Sequence, residues 1–180
     1  MILNTGVMKC FPLKPNFLHK RGMRYLFLNI DGVLHPKEGP YNLQLTRNVT
    51  NIVKQFDLRV VISSDWRVGA SMDSIVESLG ALGEHVVSMT PIFYPNDIKS
   101  YRWLAGASTL RGPRQLEIEE WLFQHTPGDS DWIALDCNPG HFIDGCRHVY
   151  FTDGQKGLNN EEVVAFETWC RKRLLKHVAA

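Results

Sequence analysis

The chain has 180 residues, which is enough for one domain with a single sizeable core. Its hydrophobic fraction of 44% and charged fraction of 22% are ordinary for a soluble globular protein. A formal net charge of +1 argues neither for nor against any partner: it gives no strong electrostatic footprint for nucleic acid and leaves room for a local basic patch. No apolar run approaches the roughly 20 residues that cross a bilayer, so we expect no membrane partner.

The first 22 residues differ from the rest of the chain, because they contain four basic residues and no acidic one. Two prolines, Pro12 and Pro15, disfavour a helix in this stretch. It also lacks the apolar segment and small-residue cleavage site of a secretory signal. We therefore predict a flexible N-terminal extension over residues 1–22 and a single domain over residues 23–180.

The four cysteines of the chain, Cys10, Cys137, Cys146 and Cys170, include no C-x-x-C pair. This spacing favours neither a zinc site nor a dithiol redox site. Free thiols in a reducing cytoplasm are the expected state, with a Cys137–Cys146 disulfide as the alternative.

From Arg24 onward, short apolar runs alternate with segments of helical period. The predicted strands are "RYLFLNI", "LRVVISS", "EHVVSMT", "DWIALD" and "RHVYFTD". The predicted helices are "TRNVTNIVKQF", with an apolar stripe at Val49, Ile52, Val53 and Phe56, then "SMDSIVESLG", "RQLEIEEWLFQH" and a terminal helix from residue 159. Ser71 and Gly80 are the expected cap and stop of the second helix. This order predicts an α/β fold, a three-layer Rossmann-like parallel sheet of about five strands with helices on both faces.

Polar residues stand where the predicted strands end, and ligands of such sheets bind outside the carboxyl ends of the strands. They are Asn29, Asp31, Ser63, Ser64, Thr90, Asp136 and Asp153. Asn29 and Asp31 are two residues apart in an extended segment, so their side chains should share a site, and Gly32 permits a sharp turn or a close backbone approach. Asp136 ends an apolar strand and needs a partner such as a divalent cation.

Each of these features also has a plain structural explanation. Asp31 with Gly32 is a common turn, and Asp136 could cap the turn that follows it. Ser63 and Ser64 could belong to another turn, whereas their hydroxyls could also bind a phosphoryl group. Arg114, at the start of the third helix, is either a cation for that group or a solvated surface residue.

Together the features resemble the haloacid dehalogenase-like (HAD) phosphohydrolase superfamily over roughly residues 24 to 160. The motifs are "NIDGV", "VVISS", Arg114 as the basic residue near a helix start, and Asp136 as the acidic residue that ends a strand. The segments "FLNIDGVLHP", "SSDWR" and "FTDGQKGLNNEE" are most similar to the HAD domain of Swiss Army Knife RNA repair proteins.

The resemblance implies phosphomonoester hydrolysis that depends on Mg²⁺. It places the nucleophile at position 29, makes Asp31 the general acid and base, and assigns the phosphoryl oxygens to Ser63, Ser64 and Arg114. It assigns the metal to Asn29, Asp31 and Asp136.

The sequence departs from this pattern twice. Asn29 replaces the nucleophilic aspartate, and Cys137 stands where a second acidic residue usually follows Asp136, with Asp144 a poor substitute. We therefore expect impaired activity, or a non-catalytic relative that binds phosphate or a partner. A single engineered Asp→Asn change would explain Asn29 but not Cys137.

The segment between Asp31 and the helix expected near Leu45 is too short for a large lid. A longer segment, residues 90–113, interleaves aromatic and arginine residues at Tyr94, Tyr101, Arg102, Trp103 and Arg111. They could stack bases and contact phosphates, or pack over the sheet edge. An open site would suit a phosphorylated substrate such as a nucleic-acid end or a phosphoprotein.

Overall fold

The computed structural model of the protein describes residues 22–37, 39–40, 42–93, 112–126 and 131–174. Within these residues, five strands form one parallel sheet in the order β3-β2-β1-β4-β5. The strands are Arg24–Leu28 (β1), Leu58–Ile62 (β2), Val86–Met89 (β3), Asp131–Asp136 (β4) and Val149–Phe151 (β5). The predicted α/β parallel sheet is therefore confirmed.

Helices connect the strands. They are Leu43–Gln55 (α1), Trp66–Gly69 (α2), Met72–Leu79 (α3), Pro113–His125 (α4) and Asn160–Leu174 (α5), with 3-10 turns at Gly80–His85 and Pro139–His141. The Ser71 side chain accepts the Ser74 N–H at 3.2 Å, and Gly80 has a φ of 55°, so both predicted ends of α3 are confirmed. Among the residues described, no helix combines the length and the apolar character needed to cross a bilayer.

Two apolar layers cover the two faces of the sheet, because successive strand residues point to opposite sides. Leu26 and Leu28 of β1 pack with residues of α1, α3 and α5, including the predicted α1 stripe, which is buried. Tyr25 and Phe27 point the other way and meet Trp121 of α4 edge-on, with ring centroids 5.1 and 5.5 Å away. The molecule thus has the three layers that the sequence predicts.

The strand register brings three polar residues to one level, namely Asn29, Ser63 and Asp136. Leu28, the last residue of β1, lies opposite Ile62 of β2 and Leu135 of β4. The Asn29 N–H donates to the Leu135 carbonyl, and the Ser63 N–H donates to the Leu28 carbonyl, both at 3.0 Å. The chain runs from β1 to β2 on one side and returns to β4 on the other, and ligands of open α/β sheets bind at such a switch point.

The aromatic and arginine residues predicted to overhang the sheet, Tyr94, Tyr101, Arg102, Trp103 and Arg111, lie outside the described residues. Nearly all of the predicted N-terminal extension lies outside them as well. Both interpretations stay predictions.

Candidate active site

Asn29 and Cys137 converge on one backbone oxygen at the ends of β1 and β4. Asn29 Nδ2 donates to the Asp31 carbonyl at 2.7 Å, and Cys137 Sγ donates to the same oxygen at 3.3 Å. The amide nitrogen also lies 3.8 Å from the sulfur. Because a carbonyl can only accept, the Asn29 amide must present its NH₂ group to Asp31. Asn29 therefore meets the backbone of Asp31 rather than its carboxylate.

Gly32 makes this convergence possible. Its φ is 72°, and a Cβ at this position would lie 2.6 Å from Cys137 Sγ and 3.0 Å from the Gly154 Cα. A larger residue would have to push Cys137 away from the Asp31 carbonyl. The close approach predicted at Gly32 is confirmed.

The Asp31 carboxylate faces the solvent, with its side chain 46% exposed. Its Oδ1 accepts a hydrogen bond from Trp66 Nε1 at 3.0 Å and lies 2.8 Å from His35 Nε2. Trp66 is the first residue of α2, which follows β2 directly. The carboxylate is therefore held by two rings, one from the loop after β1 and one from the start of α2, and remains accessible to a ligand.

Asp136 is almost fully buried, and its two oxygens have different surroundings. Oδ1 accepts the backbone N–H groups of Cys137 and Asn138, at 2.7 and 2.9 Å, so Asp136 does cap the following turn. Oδ2 lies 3.7 Å from Arg114 Nε and 3.6 Å from His141 Nδ1, which is too long for a hydrogen bond. Within the described residues, Oδ2 has no hydrogen-bond partner.

The contacts of His141 define its proton arrangement. Asn138 Oδ1 accepts the Gly140 N–H at 3.0 Å, which turns Asn138 Nδ2 toward His141 Nε2, also at 3.0 Å. The Nε2 atom must then accept, so in the neutral ring Nδ1 carries the proton on the side of Asp136 Oδ2. Sequence reasoning missed His141, because nothing in "NPGH" distinguishes it from a loop histidine.

Arg114 is buried at 3% exposure, which rules out a solvated surface role. Nη2 donates to Asp65 Oδ1 at 2.9 Å, and Nε faces Asp136. Nη1 has no hydrogen-bond partner among the residues described, and the same holds for the buried hydroxyl of Thr90. A buried donor without an acceptor costs free energy, so Arg114 is poised to receive one.

The two serines after β2 are also buried. Ser64 Oγ accepts the Trp66 N–H at 3.4 Å, so it faces the start of α2. The carbonyls of Ser63 and Ser64 accept from Arg67 Nη1 at 2.5 and 2.6 Å. Their role in binding a phosphoryl group stays a prediction. Asp153 is turned toward the loop after β5, where its Oδ1 accepts the Gln155 N–H.

Arg67 is a second structural residue that sequence reasoning missed. All five of its N–H groups have acceptors, which are the carbonyls of Ser63, Ser64, Thr90 and Pro91 and the carboxylate of Glu117. Burial raises the pKa of Glu117, and the charge of Arg67 opposes that effect. Arg67 thus ties the ends of β2 and β3 to α4 beneath the site.

A family model described as the HAD domain in Swiss Army Knife RNA repair proteins matches residues 25–163. The chain belongs to this family. The predicted resemblance is confirmed, and the match contains each of the residues described above as the site. No curated protein and no solved structure matches the chain.

Two of the oxygens that would bind Mg²⁺ in this HAD domain already accept hydrogen bonds, and among the described residues Asp136 Oδ2 is left without a partner. Mg²⁺ needs oxygen lone pairs in near-octahedral geometry. The Asp31 carbonyl accepts two hydrogen bonds, Asp136 Oδ1 accepts two more, and Asn29 presents N–H groups. The part of the chain that the structure describes holds no cluster of three or more His, Cys, Asp or Glu side chains suited to a metal, and Asp144 lies exposed in a turn. The side chains present do not fit Mg²⁺.

Cys137 of the HAD domain acts as a hydrogen-bond donor, so its thiol must keep its proton. Burial raises its pKa, Asp136 raises it further, and Lys37 opposes both. The three described cysteines, Cys137, Cys146 and Cys170, are free thiols, as predicted.

We expect Cys137 to react slowly with iodoacetamide at pH 8, because each unit of raised pKa leaves about tenfold less thiolate. Cys137 would be compared with Cys146, each kept in a variant in which the other and Cys10 are serine. Cys170 is buried, and burial raises its pKa, so it contributes little in either variant. Equal rates for the two thiols would contradict a protonated donor at position 137.

Proposed function

We propose that this HAD domain binds phosphomonoesters at the carboxyl ends of β1, β2 and β4 and hydrolyses them very slowly or not at all. The observation that carries the proposal is Arg114, which is 3% exposed, lies beside the end of β4 and has an Nη1 atom with no hydrogen-bond partner in the described part of the chain. A phosphate oxygen would supply the missing acceptor, and a buried guanidinium forms strong, directional hydrogen bonds with such oxygens.

Impaired hydrolysis follows from the side chain at position 29. A carboxylate there would attack phosphorus, whereas an amide carries no charge and is a far poorer nucleophile. In addition, the Asn29 NH₂ group is engaged with the Asp31 carbonyl. Loss of a nucleophile costs on the order of 10⁶ in kcat in another hydrolase. Mg²⁺-dependent hydrolysis would thus require a carboxylate at position 29, whereas this chain, with Asn29, would retain only phosphate binding.

The substrate class we propose is a phosphorylated RNA end. Two observations support it: the family is described by its occurrence in RNA repair proteins, and the Asp31 side chain is 46% exposed, as an open site requires. In this proposal the terminal phosphate contacts Arg114 while the rest of the strand stays outside. A phosphoprotein would present the same phosphomonoester, and the binding experiment separates the two.

The proposal is tested by fluorescence anisotropy with a short RNA that ends in either a phosphate or a hydroxyl. We expect the phosphorylated end to bind more tightly, and Arg114→Met to weaken it about tenfold or more, since a hydrogen bond to a charged group contributes about 1.5–3 kcal/mol. Arg147→Met is the matched control, because Arg147 is exposed just before the amino end of β5, whereas the site lies at the carboxyl ends of the strands.

Arg114→Lys keeps the positive charge and loses the planar fork of donors, so it shows whether Arg114→Met acts through the lost charge or through the lost geometry. Equal binding of phosphorylated and hydroxyl ends would overturn the proposal. Stronger binding of a phosphopeptide than of the RNA would replace the substrate class and keep the site.

A further inference from the structure

Lys37 places an ammonium group beside the cluster of Asn29 and Cys137. It lies in the loop after β1, where its backbone N–H donates to the Gly154 carbonyl at 3.0 Å. Its side chain runs over Gly154, so that a Cβ on that glycine would lie 3.2 Å from Lys37 Cε. The same Cβ would lie 3.5 Å from the Cys137 Cβ, so the two side chains are neighbours over Gly154, and the charge of Lys37 opposes the rise in the Cys137 pKa. The lysine is thus anchored through its backbone, and its exposed side chain lies beside Cys137.

Three donors therefore surround the point where a metal would meet the Asp31 carbonyl. Asn29 contributes an amide N–H, Cys137 a thiol S–H and Lys37 a charged ammonium. A metal cation needs lone pairs from its neighbours, and it is repelled by donor hydrogens and by a positive charge.

The charge at the strand ends supports the same conclusion. Relative to the D-x-D pattern with a second acidic residue after Asp136, Asn29 and Cys137 remove two negative charges. That loss equals the charge of one Mg²⁺ ion, so a bound phosphate meets a similar net charge without the metal. Lys37 adds a further positive charge on this side, and Arg114 faces Asp136 from the other.

We propose that Asn29, Cys137 and Lys37 close the cation position of this domain, so that it binds anions without Mg²⁺ and uses the Lys37 ammonium in place of the metal. The anion part rests on the proposed function, whereas the closed cation position does not. The buried Nη1 of Arg114, unpaired among the described residues, is the independent sign that an anion belongs here.

The anion part is tested by calorimetric titration of the full chain with inorganic phosphate, once with EDTA and once with Mg²⁺. We expect the two dissociation constants to agree within about twofold, and Lys37→Met to weaken binding about tenfold through the lost charged contact. Lys37→Arg keeps the charge and should stay within about threefold of the unmodified chain. Lys156→Met is the matched control, because Lys156 is 65% exposed and pairs with Asp153.

The cation part is tested by thermal melting with Mg²⁺ alone. The unmodified chain should show no shift in Tm, whereas Asn29→Asp/Cys137→Asp should gain about 3 °C or more at saturating Mg²⁺. A Mg²⁺-dependent rise in the Tm of the unmodified chain would overturn the closed position, whatever phosphate does.

The two proposals fail in different ways. Tenfold weaker phosphate binding in EDTA, or equal losses for Lys37→Met and Lys156→Met, would overturn the role given to Lys37 and leave phosphate binding in place. If phosphate binds under neither condition while Mg²⁺ raises the Tm of the double variant and not that of the unmodified chain, the proposed function is wrong and the closed cation position stands.

Discussion

Restoring both carboxylates, in Asn29→Asp/Cys137→Asp, is expected to raise Mg²⁺-dependent hydrolysis of p-nitrophenyl phosphate by several orders of magnitude. The double variant supplies a nucleophile at position 29, and it removes the two neutral donors that now face the Asp31 carbonyl. The loss of a nucleophile costs roughly 10⁶ in kcat in a well-studied hydrolase, which sets the scale of the gain. The measurement is phosphate release with Mg²⁺ and with EDTA.

Asn29→Asp alone should gain much less. Its carboxylate would face the Asp31 carbonyl from the position where Nδ2 now lies, 2.7 Å away, and two acceptors repel each other unless a cation lies between them. The control is Asp31→Asn in the double variant, which removes the acid and base and should abolish the gain. If the double variant is no faster than the unmodified chain, this is not a disabled phosphatase scaffold. If the unmodified chain already turns over rapidly, Asn29 is not disabling.

Arg67→Met is expected to lower the free energy of unfolding by about 3–5 kcal/mol, because it leaves the buried Glu117 carboxylate without its ion-pair partner. The variant removes the only charge that contacts Glu117 by hydrogen bond among the described residues, and it takes the donor away from four carbonyls at the ends of β2 and β3. Urea denaturation followed by circular dichroism measures the change.

Arg171→Met is the matched control, since Arg171 is 54% exposed and its pair with Glu167 is a surface ion pair within α5. Such pairs contribute about 0–1 kcal/mol. Arg67→Met/Glu117→Leu should recover part of the loss, because the carboxylate is no longer buried alone, although the carbonyls remain unpaired. A loss below about 1 kcal/mol for Arg67→Met would show that water replaces its contacts.

The fold was predictable because its signals are local. Strands such as "LRVVISS" are apolar, β-branched runs that end in polar turn residues, and the α1 stripe repeats at helical spacing. The strand-end rule then placed Asn29, Ser63 and Asp136 at one level, and the register puts them there. The contacts that each of these side chains makes could not be predicted from the sequence in the same way.

The contacts inside the site depend on tertiary packing, which a local pattern does not contain. Arg114 reads as a surface residue in "RGPRQLE", yet it is buried against Asp65 and Asp136. Arg67 looks like turn chemistry in "SSDWR", yet it saturates its donors with acceptors from three elements. Lys37 looks like an ordinary loop lysine in the sequence, yet in the fold its side chain lies beside Cys137 over Gly154.

The pairing of β1 with β4 also determines at which stage of folding the site forms. Asn29 and Cys137 are 108 residues apart in the chain, whereas β1 and β2 are joined by a single helix. Contacts between distant segments form more slowly than local ones, so we expect β1 and β2 to pair first and β4 to join them later. During synthesis, β1, β2 and β3 can pair before residue 137 has left the ribosome. At that stage the thiol donor of Cys137 is still missing from the site. A ligand of this site therefore stabilises only chains whose folding has reached β4.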